Sequence, residues 1–195
     1  MKKIFILLVA VATVITSCGG SEDGGDKEGK KGGSDVAELD YSDMVQYSLD
    51  TFSIPVSVMV PEYEGPMNTV LATTLSEVEE GWLWKISIGE EGAKYSLFIE
   101  DVTGYEDDHS VAKKKEELDG MKFMNIKYLV DDSNLIMFEK LYPGDESIPA
   151  QYHVMGVVVN GENTYKVYSD ETQLFNKPLA EKMMMSIKSM LGAEA

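Results

Sequence analysis

Apolar and polar residues alternate along much of the chain from residue 50 to residue 170, and a helical spacing takes over at the end. Phe52, Ile54, Val56, Val58 and Val60 alternate with Ser53, Pro55, Ser57 and Met59, which predicts a strand with one buried face. Pro55 lacks an N–H for a ladder, so this strand belongs at an edge or a bulge. The two prolines and one glycine of Pro61 to Asn68 predict a loop. Trp82, Trp84, Ile86 and Ile88 share one face, Glu90 to Ala93 turns the chain, and Tyr95, Leu97 and Ile99 return as a hairpin. Residues Asp107 to Gly120 predict a short, mostly exposed helix with acids at its positive end and glycine as its stop. A meander follows. Met124, Ile126, Tyr128 and Val130 alternate, Asp131 to Asn134 turns, Leu135 to Tyr142 returns, and Pro143-Gly144-Asp145 breaks the strand. Tyr152 to Val159 is strongly apolar, and Asn160-Gly161 begins a hairpin turn into Thr164–Tyr168. Pro178 then suits the first turn of a helix whose Leu179, Met183, Ile187, Met190 and Leu191 line one face. The element order predicts an α+β domain, a mostly antiparallel sheet of about six strands packed against helices.

The first residues follow a different pattern. Lys2 and Lys3 precede Ile4 to Ile15, an unbroken apolar run. Twelve residues of helix rise about 18 Å, short of the roughly 30 Å of a hydrocarbon core. The run therefore reads as the apolar part of a signal peptide. It ends in Ile15-Thr16-Ser17-Cys18, which resembles the lipobox of bacterial lipoproteins, with Ile and Ser in place of the usual Leu and Ala or Gly. The resemblance implies cleavage before Cys18, so that residues 1–17 are a removed signal peptide. It also implies lipid attachment at Cys18, whose several acyl chains hold the protein on a membrane, each buried CH₂ contributing about 0.8 kcal/mol. Residues 19–35 contain seven glycines and no larger apolar side chain, so residues 18–39 read as a lipidated cysteine and a flexible tether. Its span is about 20–25 Å. Glu22 and Asp23 read first as part of a polar tether, though they also resemble surface-export signals of some outer-membrane lipoproteins, and Gly19 resembles outer-membrane sorting rather than inner-membrane retention. The single domain is expected over 40–195, in the cell envelope, on the outer membrane.

Two segments carry a second resemblance. Ile54-Pro55-Val56-Ser57-Val58-Met59-Val60-Pro61 and the closing helix with Met183-Met184-Met185-Ser186-Ile187 are similar to the opening strand and last helix of the Mog1/PsbP-like fold. The Asn160-Gly161 hairpin with Tyr165 to Tyr168 adds to the likeness, which spans most of residues 50–192. It implies an α/β/α sandwich. It also implies a binding or assembly role, since most members are of that kind, although fold likeness does not transfer function.

Composition narrows the chemistry. The chain carries 17 basic residues, every one a lysine, against 34 acids, for a net charge of −17. An acidic surface with no guanidinium argues against a nucleic-acid partner. One cysteine excludes an intrachain disulfide and a multi-cysteine zinc site. Nucleophile elbows, phosphate loops and dinucleotide fingerprints are absent from the sequence. His109, beside Glu106, Asp107 and Asp108, could seed a metal site, though adjacent residues on one short turn do not converge on one ion. His153, on an apolar strand, reads as a satisfied sheet residue. Asp131 to Asn134 lacks the spacing of a calcium loop and reads as a hairpin turn. Met183 and Met190 read as core with Met184 and Met185 at its margin, Trp82 and Trp84 as core, and Lys113 to Lys115 as a solvated face. No catalytic residue, metal site or cofactor is expected. The expected function is a non-enzymatic binding or assembly factor for another envelope or exported macromolecule, with the membrane as partner through Cys18 and a protein as the second partner. A carrier of a small apolar ligand is the alternative, and a metal-dependent enzyme around His109 is a weaker third.

Overall fold

The computed structural model describes residues 39–62, 72–73, 82–89, 95–144 and 147–192. They belong to one compact unit, Glu38–Ala195. The expected signal peptide, Cys18 and nearly all of the tether lie outside the described residues, as do most of the Pro61–Asn68 loop and the turn before Tyr95.

Six long strands form an antiparallel sheet: β4 (Trp82–Ile88), β5 (Tyr95–Asp101), β6 (Asn125–Asp131), β7 (Leu135–Leu141), β8 (Gln151–Asn160) and β9 (Asn163–Ser169). A two-residue strand, β3 (Ala72–Thr73), extends one edge, and the order is β3-β4-β5-β9-β8-β7-β6. A separate two-stranded sheet pairs β1 (Met44–Ser48) with β2 (Ser57–Pro61). The helices are α1 (Val111–Asp119) and α2 (Lys177–Leu191). The fold is α+β, with helices packed on the sheet.

Period-2 alternation gives the sheet two different faces. Trp84 and Ile86 of β4, Leu97 and Ile99 of β5, and Val167 of β9 join a cluster with Met183 and Ile187 of α2 and with Val58 and Val60 of β2. Each fully buried aliphatic chain here contributes about 1.5–3 kcal/mol. Tyr95 reaches through this layer to donate to Ser186 Oγ of α2 (2.7 Å). Met59 N–H donates to Ser189 Oγ (2.9 Å), fastening β2 to α2. On the opposite face Val111 and Leu118 of α1 pack on Ile136 and Phe138 of β7 and on Met155 of β8.

Several local expectations change. The strand expected from Phe52 begins only at Ser57. Asp50–Phe52 is a 3₁₀ turn, and Ser53 sits at φ 64°. Ile54, Val56, Val58 and Val60 are nevertheless buried in the expected alternation. β1 goes unread in the sequence. Helix α1 starts after the acidic cluster, because Ser110 takes the N-cap and accepts from Lys113 N–H (3.1 Å). Gly120 ends it in a right-handed rather than left-handed conformation, so glycine's special freedom is not used there. A bulge between Tyr128 and Val130 breaks the alternation of β6. The β8–β9 hairpin forms where Asn160-Gly161 marked it, but Asn160 is its last paired residue, opposite Asn163, and the two loop residues are Gly161, at φ 61°, and Glu162. In α2 Asn176 is the N-cap, Pro178 lies in the first turn, and Met183, Ile187 and Met190 are buried. Met184 is buried too, and Met185 lies at the margin.

Candidate functional site

Helix α1 is only nine residues long and reaches over β6, β7 and β8. On the same face no described helix covers β9, β5 and β4. The result is a cleft of about 550 Å³ between the helix's first two turns and that half of the sheet.

Strand register builds its floor. Lys85 lies opposite Phe98, Phe98 opposite Tyr168, and Tyr168 opposite Met155, so four strands set one cross-strand row. The Phe98 and Tyr168 rings stack at 5.4 Å. Lys85 Nζ stands 4.9 Å over the Phe98 ring, and Lys166 Nζ stands 4.9 Å over Tyr168. Burial, and then the Glu100 carboxylate, push the Tyr168 hydroxyl well above its ordinary range.

The segment that follows β9 supplies one wall. Asp170 is buried, and its carboxylate accepts from Lys85 Nζ (2.7 Å), Gln173 Nε2 (2.9 Å), and both the hydroxyl (2.6 Å) and N–H (3.0 Å) of Thr172. Burial alone would raise this carboxyl, but the hydrogen bonds from Lys85 and Thr172 outweigh it and hold it at about 2. Glu171 bridges Lys114 (2.5 Å) and Lys140 (2.6 Å), linking α1 to β7. Burial again opposes these two lysines, and they hold Glu171 at about 2. Lys166 pairs with Glu100 at 3.3 Å, directly across the β5–β9 ladder.

The second wall is the first two turns of α1 with the loop before them, carrying Asp108, His109, Ser110, Lys113 and Glu117. Asp108 accepts from Ser110 N–H (2.9 Å), which, with the Ser110 side chain, lowers its carboxyl. His109 packs edge-on against Tyr105 at 5.6 Å, and its Nε2 is shielded from solvent with no hydrogen-bond partner among the described residues.

His153 does not line the cleft and is fully buried, its ring 5.8 Å from Phe138 and 5.9 Å from Phe175. Nδ1 meets Ser169 Oγ at 3.2 Å, while Nε2 has no partner among the described residues. His153 is thus half satisfied rather than fully so. Burial foremost, with the Lys140 charge, lowers its pKa to about 4 and keeps it neutral.

The remaining candidates scatter. Asp131, Asp132 and Ser133 border a second open groove, of about 560 Å³, beside α1. Lys115 is held there by Asp131 (2.7 Å) and lies over Tyr128 (5.0 Å). Among the described residues no group of three or more His, Cys, Asp or Glu side chains has metal-holding geometry. The lysine run 113–115 is less solvated than expected, since Lys114 and Lys115 are tied to Glu171 and Asp131. Trp84 is core, and the Trp82 side chain lies outside what is described. Lys85, Phe98, Lys166, Tyr168, Asp170 and Glu171 were not singled out by sequence reasoning. The Lys-x-Tyr of β9 followed by two acids was their one local signal. No protein-family model, no curated protein and no solved structure matches the chain.

Proposed function

We propose that the protein is a lipid-anchored component of the cell envelope, held by Cys18 on the outer membrane, and that its cleft binds another envelope or exported macromolecule without catalysis. The observation that carries this reading is the cleft itself, left because α1 covers only half of its sheet face. An open concavity with an aromatic floor and fixed polar walls suits recognition. Its chemistry argues for binding over catalysis. Asp170 and Glu171 are held at about 2, far from the neutral range in which a general acid or base works. The helices on both sheet faces agree with the resemblance to the Mog1/PsbP-like fold, which belongs to this same proposal.

A carrier of a small apolar ligand is less well supported. The space between the sheet and α2 is taken up by buried side chains, and the cleft is lined by charged groups. The test is photo-crosslinking from a residue at the cleft rim in intact cells, with Lys166→Glu as the control. A discrete adduct that disappears in a folded Lys166→Glu protein is the expected result. Identical adducts with and without the substitution would move binding away from the cleft.

A further inference from the structure

We propose that the cleft binds a neutral saccharide, which would make the macromolecule of the previous section a glycan or a glycan-bearing one. This deepens that reading and rests on it. Charge balance is the first argument. Over the whole chain acids outnumber bases two to one, yet four lysines and four carboxylates line the cleft. The opposite charges also stand side by side, Lys85 with Asp170 at 2.7 Å and Lys114 with Glu171 at 2.5 Å. A charged ligand meets attraction from one member of each pair and repulsion from the other. A hydroxyl group has no such conflict, because it accepts from the ammonium and donates to the carboxylate. Asp170 already accepts four hydrogen bonds, so the carboxylates with capacity left for a ligand are Glu171, Asp108 and Glu117. Together with the lysine ammonium groups they match a ligand with many hydroxyls and no net charge, through charge-assisted hydrogen bonds.

The floor supplies the second argument. Phe98 and Tyr168, stacked on each other and capped by the Lys85 and Lys166 ammonium groups, give the cleft a small apolar surface surrounded by polar groups, which suits the C–H groups of a sugar with hydroxyls around them. Third, His109 Nε2 on the facing wall is shielded from solvent without a hydrogen-bond partner among the described residues, although buried polar atoms nearly always have one. The cleft volume lies within the roughly 300–1,000 Å³ of small-ligand sites.

The test uses the full chain, purified in detergent, on an array of neutral oligosaccharides built from hexoses and N-acetylhexosamines. Uronate- and sulfate-bearing oligosaccharides serve as the anionic arm. Saturable binding of at least one neutral oligosaccharide is expected, weakened about tenfold or more in Lys166→Met, since a hydrogen bond to a charged group is lost. Lys113→Met, at the more exposed wall, serves as a second variant with little risk to folding, and thermal unfolding of both is measured alongside. Binding confined to the anionic arm, absence of saturable binding to any neutral oligosaccharide, or affinity unchanged in both folded variants would overturn the proposal. A cleft-dependent crosslink without saccharide binding would retire the saccharide alone and leave the binding role standing.

Discussion

His153 combines a large burial cost with a defined pH consequence. In the unfolded chain an imidazole titrates near 6.5, and in the fold it is lowered to about 4. The unfolded state therefore binds more protons between these values, and stability falls as pH drops through that window. The loss is on the order of 3 kcal/mol. Urea unfolding at pH 7, 5.5 and 4 should reveal it, and His153→Phe should flatten that part of the profile. Equal slopes in both proteins would remove His153 as the cause. Asp170 and Glu171 have depressed carboxyls, so their contribution is complete above about 4.5 and is lost only as pH falls through about 2. Gly156 is a second residue with a specific reason. A Cβ there would stand 2.5 Å from Ile187 Cγ2 and 3.1 Å from the Asn134 carbonyl, so α2 rests on the bare backbone of β8. Gly156→Ala should cost about 1–3 kcal/mol by overpacking. Adding Ile187→Leu removes the branching methyl and should recover part of that cost in a double-mutant cycle. Full additivity would mean that the two do not touch.

At the scale of elements, what the sequence made legible depended on where each burial partner lies. Helix α2 carries its own pattern, because Met183, Ile187 and Met190 meet a whole sheet with one face. The β8–β9 hairpin is legible for a local reason, the Asn-Gly turn. β1 escaped notice because only Met44 of its five residues is buried, and its partners β2 and α2 come later in the chain. The cleft was illegible for the same reason on a larger scale. Its floor joins residues 85, 98, 168 and 155, whose adjacency follows from the order β4-β5-β9-β8 and not from any spacing in the sequence. Asp108, His109 and the lysine run were the cleft residues visible in advance as candidates. Helix α1 is the element on which the site turns. Its apolar anchorage is little more than Val111 and Leu118, so its cap matters. Ser110→Ala should lower stability by about 1 kcal/mol and increase amide exchange in the first turn of α1 before that of β8. Uniform exchange in both would show that the helix opens only with the whole domain.

In the molecule as a whole, the two faces of the sheet divide the labour. One is packed by α2 and the β1–β2 pair, and on the other α1 is the one helix among the described residues and covers about half. The proposed anchor is tested at this scale. Cys18→Ser should leave the domain folded while abolishing signal-peptide cleavage at that site or releasing the protein from the membrane fraction. A protein still processed there and still membrane-bound would overturn the lipidation reading. The proposed attachment at Cys18 would have a further consequence in terms of force. A pull arriving at residue 39 meets two side-chain ties first, Tyr41 to the Met185 carbonyl (3.3 Å) and Asp43 to Lys182 (2.5 Å), and then β1, a five-residue ladder outside the main sheet. All of these lie on the α2 side. With the anchor as proposed, the two-stranded N-terminal sheet would yield under tension before the row from Lys85 to Met155, which belongs to the other face of the main sheet, is strained.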